Sequence, residues 1–157
     1  MTFTQWLNQW HMTKIAIKAP IGELQWEPKD ADREAAWELY IELLTRITTQ
    51  PLSADAGDEK VALDSIYSLF PVTRTVLKNK GRQCVRFTQV AIIVLNQVVR
   101  PFTAKWHRLS IQGAFAEPER CRQFRAELED LQKDLLTYTR MLADIAEVED
   151  LTGLALD

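Results

Sequence analysis

The sequence PERCRQFRAELEDLQKDLLTYTRMLADI, residues 118–145, decides the fold class. An average apolar period of 3.5 residues, sustained for about three heptads, predicts a long helix with a continuous seam. Pro118 fits the first position of this helix, where no backbone N–H is needed. The seam favours near-parallel packing, as in four-helix bundles, with a helix of the same chain or of a second subunit. Its members are Phe124, Leu128, Leu131, Leu135, Tyr138, Leu142 and Ile145.

Three more helices are predicted before this one, over about residues 30–49, 58–80 and 82–109. Pro71 bends or splits the second helix, and Pro101 kinks the third because it removes one helical hydrogen bond. The third helix is apolar nearly all round in its middle, which is typical of the central helix of a bundle. The stripe expected on the first helix consists of Trp37, Tyr40, Ile41, Leu44 and Ile47.

The first 28 residues have a different pattern. A short helical repeat is followed by two alternating segments, 14–18 and 23–27, which we predict to form a β-hairpin around Pro20 and Gly22. An isolated hairpin is marginally stable in water, so it must lie on the helices or pair with another chain. The extension also holds several large aromatic residues, which favour an interface for self-association. These interface candidates are Trp6, Trp10 and Trp26.

The predicted architecture is therefore all-α. It is a four-helix-type bundle at residues 29–150 with a kinked third helix. An N-terminal extension, a short helix plus the hairpin, occupies residues 1–28. A C-terminal tail occupies residues 151–157.

The composition indicates one ordinary domain. The 157 residues are 46% apolar and 26% charged, with 5 Gly and 6 Pro, which excludes collagen-like and disordered classes. Two cysteines cannot form a disulfide framework, and the N-terminal residues resemble no secretory signal, so we expect a cytoplasmic location. The apolar run at residues 90–99 is too short to span a bilayer.

The net charge of −3 conceals a strong segregation of charge along the chain. Residues 1–64 carry 6 basic residues (Lys or Arg) and 11 acidic ones (Asp or Glu). Residues 65–116 carry 8 basic residues and no acidic residue, and residues 117–157 carry 5 basic and 11 acidic residues. The sequence therefore predicts a cationic middle segment between two acidic arms.

Five of these cations surround one predicted corner between helices. They either pair with acidic residues of outer helices, such as Glu34, Glu38 and Glu42, or bind a phosphate-rich or acidic partner. Lysines at the end of a helix are favoured by its dipole, but arginines in the first turns of the next helix are opposed by it. Arginines at the start of a helix therefore favour an anion bound beside them. The corner cations are Arg74, Lys78, Lys80, Arg82 and Arg86.

A second basic cluster lies further along the third predicted helix, roughly 21 Å or more from Arg86 at 1.5 Å per residue. We therefore expect two separate patches. Phe102 and Trp106, near the second patch, fit either the core or base stacking with a single strand, and their helical spacing favours the core. The second cluster consists of Arg100, Lys105, His107 and Arg108.

Most catalytic and metal-dependent classes lack their residues here. The chain has 2 His and contains no Glu-x-x-His pair, zinc-ligand spacing, phosphate-binding glycine loop or GxSxG elbow. We therefore predict no metal and no cofactor.

One constellation remains, RPFTAKWH at residues 100–107. Its Arg-x6-His spacing resembles the motif of the HEPN family, whose all-helical bundles dimerise and often cleave RNA. The resemblance implies that His107 acts as acid and base on a ribose 2′-hydroxyl and that Arg100 stabilises phosphorane charge without a metal. Pro101 departs from the family pattern, which usually has a polar residue there.

The longer segment LNQVVRPFTAKWH, residues 95–107, with AWELY at 36–40 and SLF at 68–70, is similar to small bacterial helical proteins of no assigned activity. That resemblance covers about residues 26–150 and implies a helical fold, a bacterial origin and a role in a defence or signalling cassette. A structural interpretation of the same segment is a polar latch, whose side chains bond the carbonyls that Pro101 frees. The latch residues are Asn96, Gln97 and Arg100.

These observations favour a non-catalytic assembly or adaptor module that self-associates or docks a partner. The contacts are expected at the tryptophan-rich N-terminus and the basic corner. Nucleic acid is the less favoured partner, because the overall pI of about 5.5 is acidic. The alternative is a metal-independent RNase of the HEPN type that uses Arg100 and His107.

Overall fold

The computed structural model describes residues 1–46, 49–53 and 58–155. Within these ranges the fold is all-α, as predicted, and contains no β-strand. None of the helices described there is long and apolar enough to cross a bilayer. The α-helices are α1 (Phe3–Asn8), α2 (Asp30–Leu44), α3 (Glu59–Tyr67), α4 (Leu69–Lys80), α5 (Val85–Val94), α6 (Arg100–Ile111), α7 (Pro118–Ala146) and α8 (Thr152–Ala155). Single 3₁₀ turns lie at Ile21–Glu23, Gly81–Gln83 and Ala114–Ala116, and a π turn lies at Leu95–Val99.

Helix α7 lies at the centre of the core. All the seam side chains from Phe124 to Ile145 are buried. They pack mainly along α2 of the same chain, so the partner of the seam is internal. The helix begins at Pro118 and ends at Ala146, and the C-cap residue Glu147 adopts a left-handed conformation with φ 57°.

Helix α2 buries a different face from the predicted stripe. Trp37 and Ile41, which the sequence placed on that stripe, are 44% and 39% exposed, whereas Tyr40 is buried as expected. Ile47 lies outside the described residues. The prediction was wrong for Trp37 and Ile41 because it followed the largest side chains, whereas small residues at the contact let two helices approach closely; Leu44, as predicted, packs against the core. The buried face consists of Ala35, Ala36, Leu39, Tyr40 and Leu43.

The second predicted helix is split at Ser68 rather than at Pro71. Helices α3 and α4 meet at Ser68, which keeps helical angles (φ −59°, ψ −16°) and donates its N–H to the Asp64 carbonyl at 2.9 Å. Pro71 lies in the first turn of α4, where a missing N–H costs nothing. Helix α4 ends at Gly81, whose φ of 76° favours glycine.

The third predicted helix is interrupted just before Pro101. Helices α5 and α6 are joined by the π turn, in which the N–H of Arg100 donates to the carbonyl of Leu95. This wider turn relieves the clash between a proline ring and the carbonyl four residues earlier. Phe102 and Trp106 on α6 are buried, so they belong to the core and do not offer their rings to a ligand.

The predicted β-hairpin is not formed. The second alternating segment pairs with the start of the chain: the N–H of Phe3 donates to Leu24 and the N–H of Trp26 donates to Met1, both at 2.8 Å. The first segment is held elsewhere, because the backbone of Ala16 bonds a side chain of the π turn. Ile15, Ile17 and Trp26 pack against the core, and the two segments do not pair with each other.

The N-terminal tryptophans pack inward. Trp6 is buried, its ring is 4.0 Å from that of Trp26, and its Nε1–H donates to Asp144 of α7 at 2.8 Å. Trp10 lies edge-on to Trp6 at 6.1 Å and, like Trp26, packs against the core. The segment predicted to extend beyond the bundle therefore contributes to its core.

Candidate functional site

The start of α5 already holds an anion supplied by the protein. The carboxylate of Asp32, which is 1% exposed, accepts the backbone N–H of Phe87 at 2.9 Å. Its other oxygen accepts the N–H of Lys29 at 2.8 Å, at the start of α2. A carboxylate is favoured at a helix N-terminus by the dipole and the free N–H groups. Asp32 therefore supplies a carboxylate to the N-terminus of α5, and a bound anion beside Arg82 and Arg86 stays a prediction.

The five corner cations differ in their surroundings. Lys80 is 2.9 Å from Glu38 and 3.4 Å from Glu34, and its hydrogen bond to Glu38 raises the pKa of its ammonium group. Arg86 is half-buried and donates to Gln89 at 3.2 Å. The internal interpretation is therefore correct for Lys80. Arg74, Lys78 and Arg82 are exposed.

Carboxylate partners are scarce throughout the cationic segment. Among the described residues, two of its eight cations form ion pairs, Lys80 and Lys105, the latter with Glu127. Seven of the eleven cations elsewhere have a carboxylate partner. The segment therefore keeps most of its positive charge unneutralised. The cations that lack an ion pair with any described residue are Arg74, Lys78, Arg82, Arg86, Arg100 and Arg108.

Two of these cations lie over one phenylalanine ring. The Cζ atom of Arg100, on α6, is 4.6 Å from the ring centroid of Phe70, and the Cζ of Arg74, on α4, is 6.0 Å from it. Phe70 is 3% exposed, whereas both arginines are exposed, so the guanidinium groups lie at the surface above a buried ring. Each contact holds a cation in place and leaves N–H groups able to bind an anion. The two basic clusters, which we expected to be separate, meet here.

Tyr67 extends this arrangement along α3 and α4. Tyr67, Phe70, Arg74 and Lys78 follow at intervals of three, four and four residues, and helical geometry places such residues on one face. The Tyr67 ring is 43% exposed and its centroid is 5.6 Å from that of Phe70. We call Tyr67, Phe70, Arg74, Lys78 and Arg100 the basic-aromatic row.

The predicted latch residues make surface contacts and not buried ones. Arg100 donates from Nε to Oδ1 of Asn96 at 3.0 Å, and both residues are exposed. Gln97 accepts the Ala16 N–H at 2.7 Å and donates to the Ala16 carbonyl at 2.9 Å. Because the π turn re-pairs the backbone near Pro101, Gln97 instead tethers the N-terminal segment.

His107 lies two helical turns beyond Arg100, roughly 10 Å along α6. Its half-buried imidazole lies edge-on to Tyr67, with ring centroids 5.0 Å apart. Neither ring nitrogen has a hydrogen bond to a described residue. Arg100 and His107 thus contact neighbouring rings of the same face, and no direct contact joins them in the described structure.

Asp32, Tyr67 and Phe70 were assigned no functional role from the sequence. The face that Tyr67 and Phe70 share with Arg74 is visible in the spacing, but the approach of Arg100 depends on how α6 packs. Within the described ranges, no group of three or more His, Cys, Asp or Glu could hold a metal ion.

Comparison with known proteins gives no significant match to a family model, to a curated protein or to a solved structure.

Proposed function

We propose that this chain is a non-catalytic helical adaptor module that docks an acidic partner through the basic-aromatic row. The observation that carries the proposal is the convergence of Arg74 and Arg100 on Phe70, with no carboxylate partner for either among the described residues. Two like charges held over one ring repel each other. An anion placed between them offsets that repulsion and accepts charge-assisted hydrogen bonds from both.

The fold supports docking at this row. Lys80 is occupied by Glu34 and Glu38, and the start of α5 is occupied by Asp32, so neither position competes with the row for an outside anion. Lys78 continues the positive charge of α4 beyond Arg74. The corner therefore contributes Arg74 and Lys78 to the docking surface.

We propose that the scaffold is a four-helix-type bundle of α2, α3 with α4, α5 with α6, and α7. We also propose that the module works in the cytoplasm of a bacterium, in a defence or signalling cassette, and the resemblance to small bacterial helical proteins supports the bacterial origin and this role. Self-association, where it occurs, uses a surface other than Trp6, Trp10 and Trp26, because these side chains pack on their own chain.

Chromatography on immobilised heparin tests the docking surface. We expect the protein to be retained at low salt in spite of its net charge of −3. Arg74→Glu with Arg100→Glu should abolish retention. The matched control is Lys18→Glu with Arg120→Glu, which makes the same charge change at exposed cations outside the row. Equal loss of retention in the control would contradict a localised docking surface.

A second candidate function is metal-independent cleavage of RNA. It is favoured by the placement of Arg100 and His107 against the adjacent rings of Phe70 and Tyr67. In this reaction His107 takes the proton of a ribose 2′-hydroxyl, and Arg100 stabilises the charge of the phosphorane. Incubation of labelled RNA with the protein in EDTA should give fragments that His107→Ala abolishes. Intact RNA would exclude this function and leave the docking proposal unchanged.

A further inference from the structure

The row combines cations with an accessible aromatic ring. Tyr67 is 43% exposed and lies beside Phe70, the ring that Arg74 and Arg100 cover. His107 contacts Tyr67 edge-on, and Phe70 lies tilted against it at 39°, so neither neighbour stacks on the Tyr67 ring. Asp64, the acidic residue nearest to Tyr67 along the sequence, is paired with Lys60 at 2.7 Å.

This combination distinguishes among acidic partners. An acidic protein segment offers carboxylates but no flat ring at a regular interval from them. A single-stranded nucleic acid offers a phosphate and an aromatic base in every nucleotide, and proteins bind it through cationic grooves with stacking side chains. A duplex keeps its base faces stacked inside, so an exposed tyrosine gains nothing from it.

The length of the row favours a polymer over a single nucleotide. Phe70 and Lys78 are eight residues apart on α4, which corresponds to roughly 12 Å along the helix axis, and Tyr67 lies beyond Phe70 at the end of α3. Lys78 adds a third unpaired cation beyond Arg74 and Arg100. The acidic pI weakens non-specific binding to DNA, but the unneutralised charge is concentrated in residues 65–116, which contain no carboxylate.

We propose that the basic-aromatic row binds single-stranded nucleic acid, with backbone phosphates on Arg74 and Arg100 and one base stacked on Tyr67. This inference rests on the docking function and names its partner. It requires no cleavage and gives His107 no role beyond supporting the Tyr67 ring.

Fluorescence anisotropy with a labelled oligodeoxythymidylate of about 15 nucleotides tests the proposal, a length within the usual range for such sites. The probe has no 2′-hydroxyl, so the RNase mechanism cannot cleave it. Tyr67→Leu removes the ring and keeps an apolar side chain against Phe70 and His107. We expect it to weaken binding by about fivefold or more, whereas Tyr67→Phe keeps the ring and binds like the unmodified protein.

The salt dependence reports the phosphate contacts. Arg74→Ala with Arg100→Ala should lower the slope of log affinity against log salt by about 1.4, because each phosphate neutralised on a single strand contributes about 0.7. Lys18→Ala with Arg120→Ala, the matched control, should leave the slope unchanged. Circular dichroism of each variant verifies that the helices are intact.

Oligoglutamate and a duplex of the same length separate the outcomes. Weaker binding of both competitors than of the single strand supports the proposal. If Tyr67→Leu leaves the affinity for the single strand unchanged, or if oligoglutamate competes equally, the single-strand proposal is overturned and docking of an acidic protein stands. If heparin and the oligonucleotide both fail to bind, the docking function itself is wrong.

Discussion

The carboxylate of Asp32 joins α2 to the start of α5 through a 2.9 Å hydrogen bond from the N–H of Phe87. The same carboxylate accepts the N–H of Lys29, so one buried side chain satisfies donors at two helix N-termini. Asp32 is therefore expected to contribute to stability, and it is not a member of the basic-aromatic row.

Asp32→Ala should lower the free energy of unfolding by roughly 2–4 kcal/mol, since it removes two charge-assisted hydrogen bonds and leaves the buried N–H of Phe87 unpaired. Urea denaturation measures the change. Asp30→Ala is the control, because Asp30 is exposed and pairs with Arg33 at the surface, where such pairs contribute about 0–1 kcal/mol. Similar losses in both variants would show that the Asp32 contacts contribute little.

The sequence was sufficient for the features that depend on periodicity within one segment. The seam of α7 is buried along its whole length, because seven apolar residues at heptad spacing form one face that packs against another helix. The interruption near Pro101 was also predictable, since proline cannot continue the hydrogen-bond pattern of a helix. The π form of that turn could not be predicted from the sequence, because it depends on tertiary packing.

Features that join distant segments could not be read from the sequence. The tryptophans of the first 26 residues look like an interface when the segment is taken alone, but Asp144 of α7 and the core cover Trp6. The carboxylate for the α5 N-terminus comes from 55 residues earlier in the chain. Likewise, Arg74 and Arg100 meet only because Arg100 of α6 lies over Phe70, which precedes Arg74 by one turn of α4.

Gln97→Ala should release the N-terminal segment from the π turn. The change removes both hydrogen bonds between the Gln97 amide and the Ala16 backbone. We expect it to lower the free energy of unfolding by about 1–2 kcal/mol. Hydrogen exchange at the Ala16 N–H should become faster while exchange in α7 stays slow. Asn96→Ala is the control, because Asn96 contacts Arg100 and not the segment. Unchanged exchange at Ala16 would show that other contacts hold it.

Trp6→Ala should destabilise the fold without changing its oligomeric state. The substitution empties a buried site and leaves Asp144 without its indole partner, at a cost of about 3–5 kcal/mol. Trp37→Ala, at a position that is 44% exposed, should cost far less. Thermal unfolding and light scattering measure the two properties. If Trp6→Ala had a lower mass in light scattering and an unchanged thermal stability, the tryptophans would be assigned to an interface between subunits.

Tyr138 should not ionise while the protein is folded. Its hydroxyl is buried without a hydrogen-bond partner in the described structure, and burial raises the pKa of the phenol far above its ordinary value near 10. The unfolded chain therefore loses this proton first, so the contribution to stability is complete below pH 10 and declines at higher pH. Absorbance titration should show that one tyrosine fewer ionises on alkaline unfolding in Tyr138→Phe than in the unmodified protein. Ionisation of all three tyrosines in the folded protein would contradict this.

Arg100→Ala, measured for both stability and binding, separates a structural role from a ligand-binding one. A buried latch residue would cost roughly 1–3 kcal/mol when removed, because its partners would be left unpaired. Arg100 is exposed, with one hydrogen bond to Asn96 and one ring contact to Phe70, so we expect a loss of only about 0.5–1 kcal/mol. Retention on heparin should fall sharply in the same variant. Arg100→Lys keeps the charge but not the planar fork and should recover only part of the binding. A large loss of stability with unchanged retention would return Arg100 to the structural role.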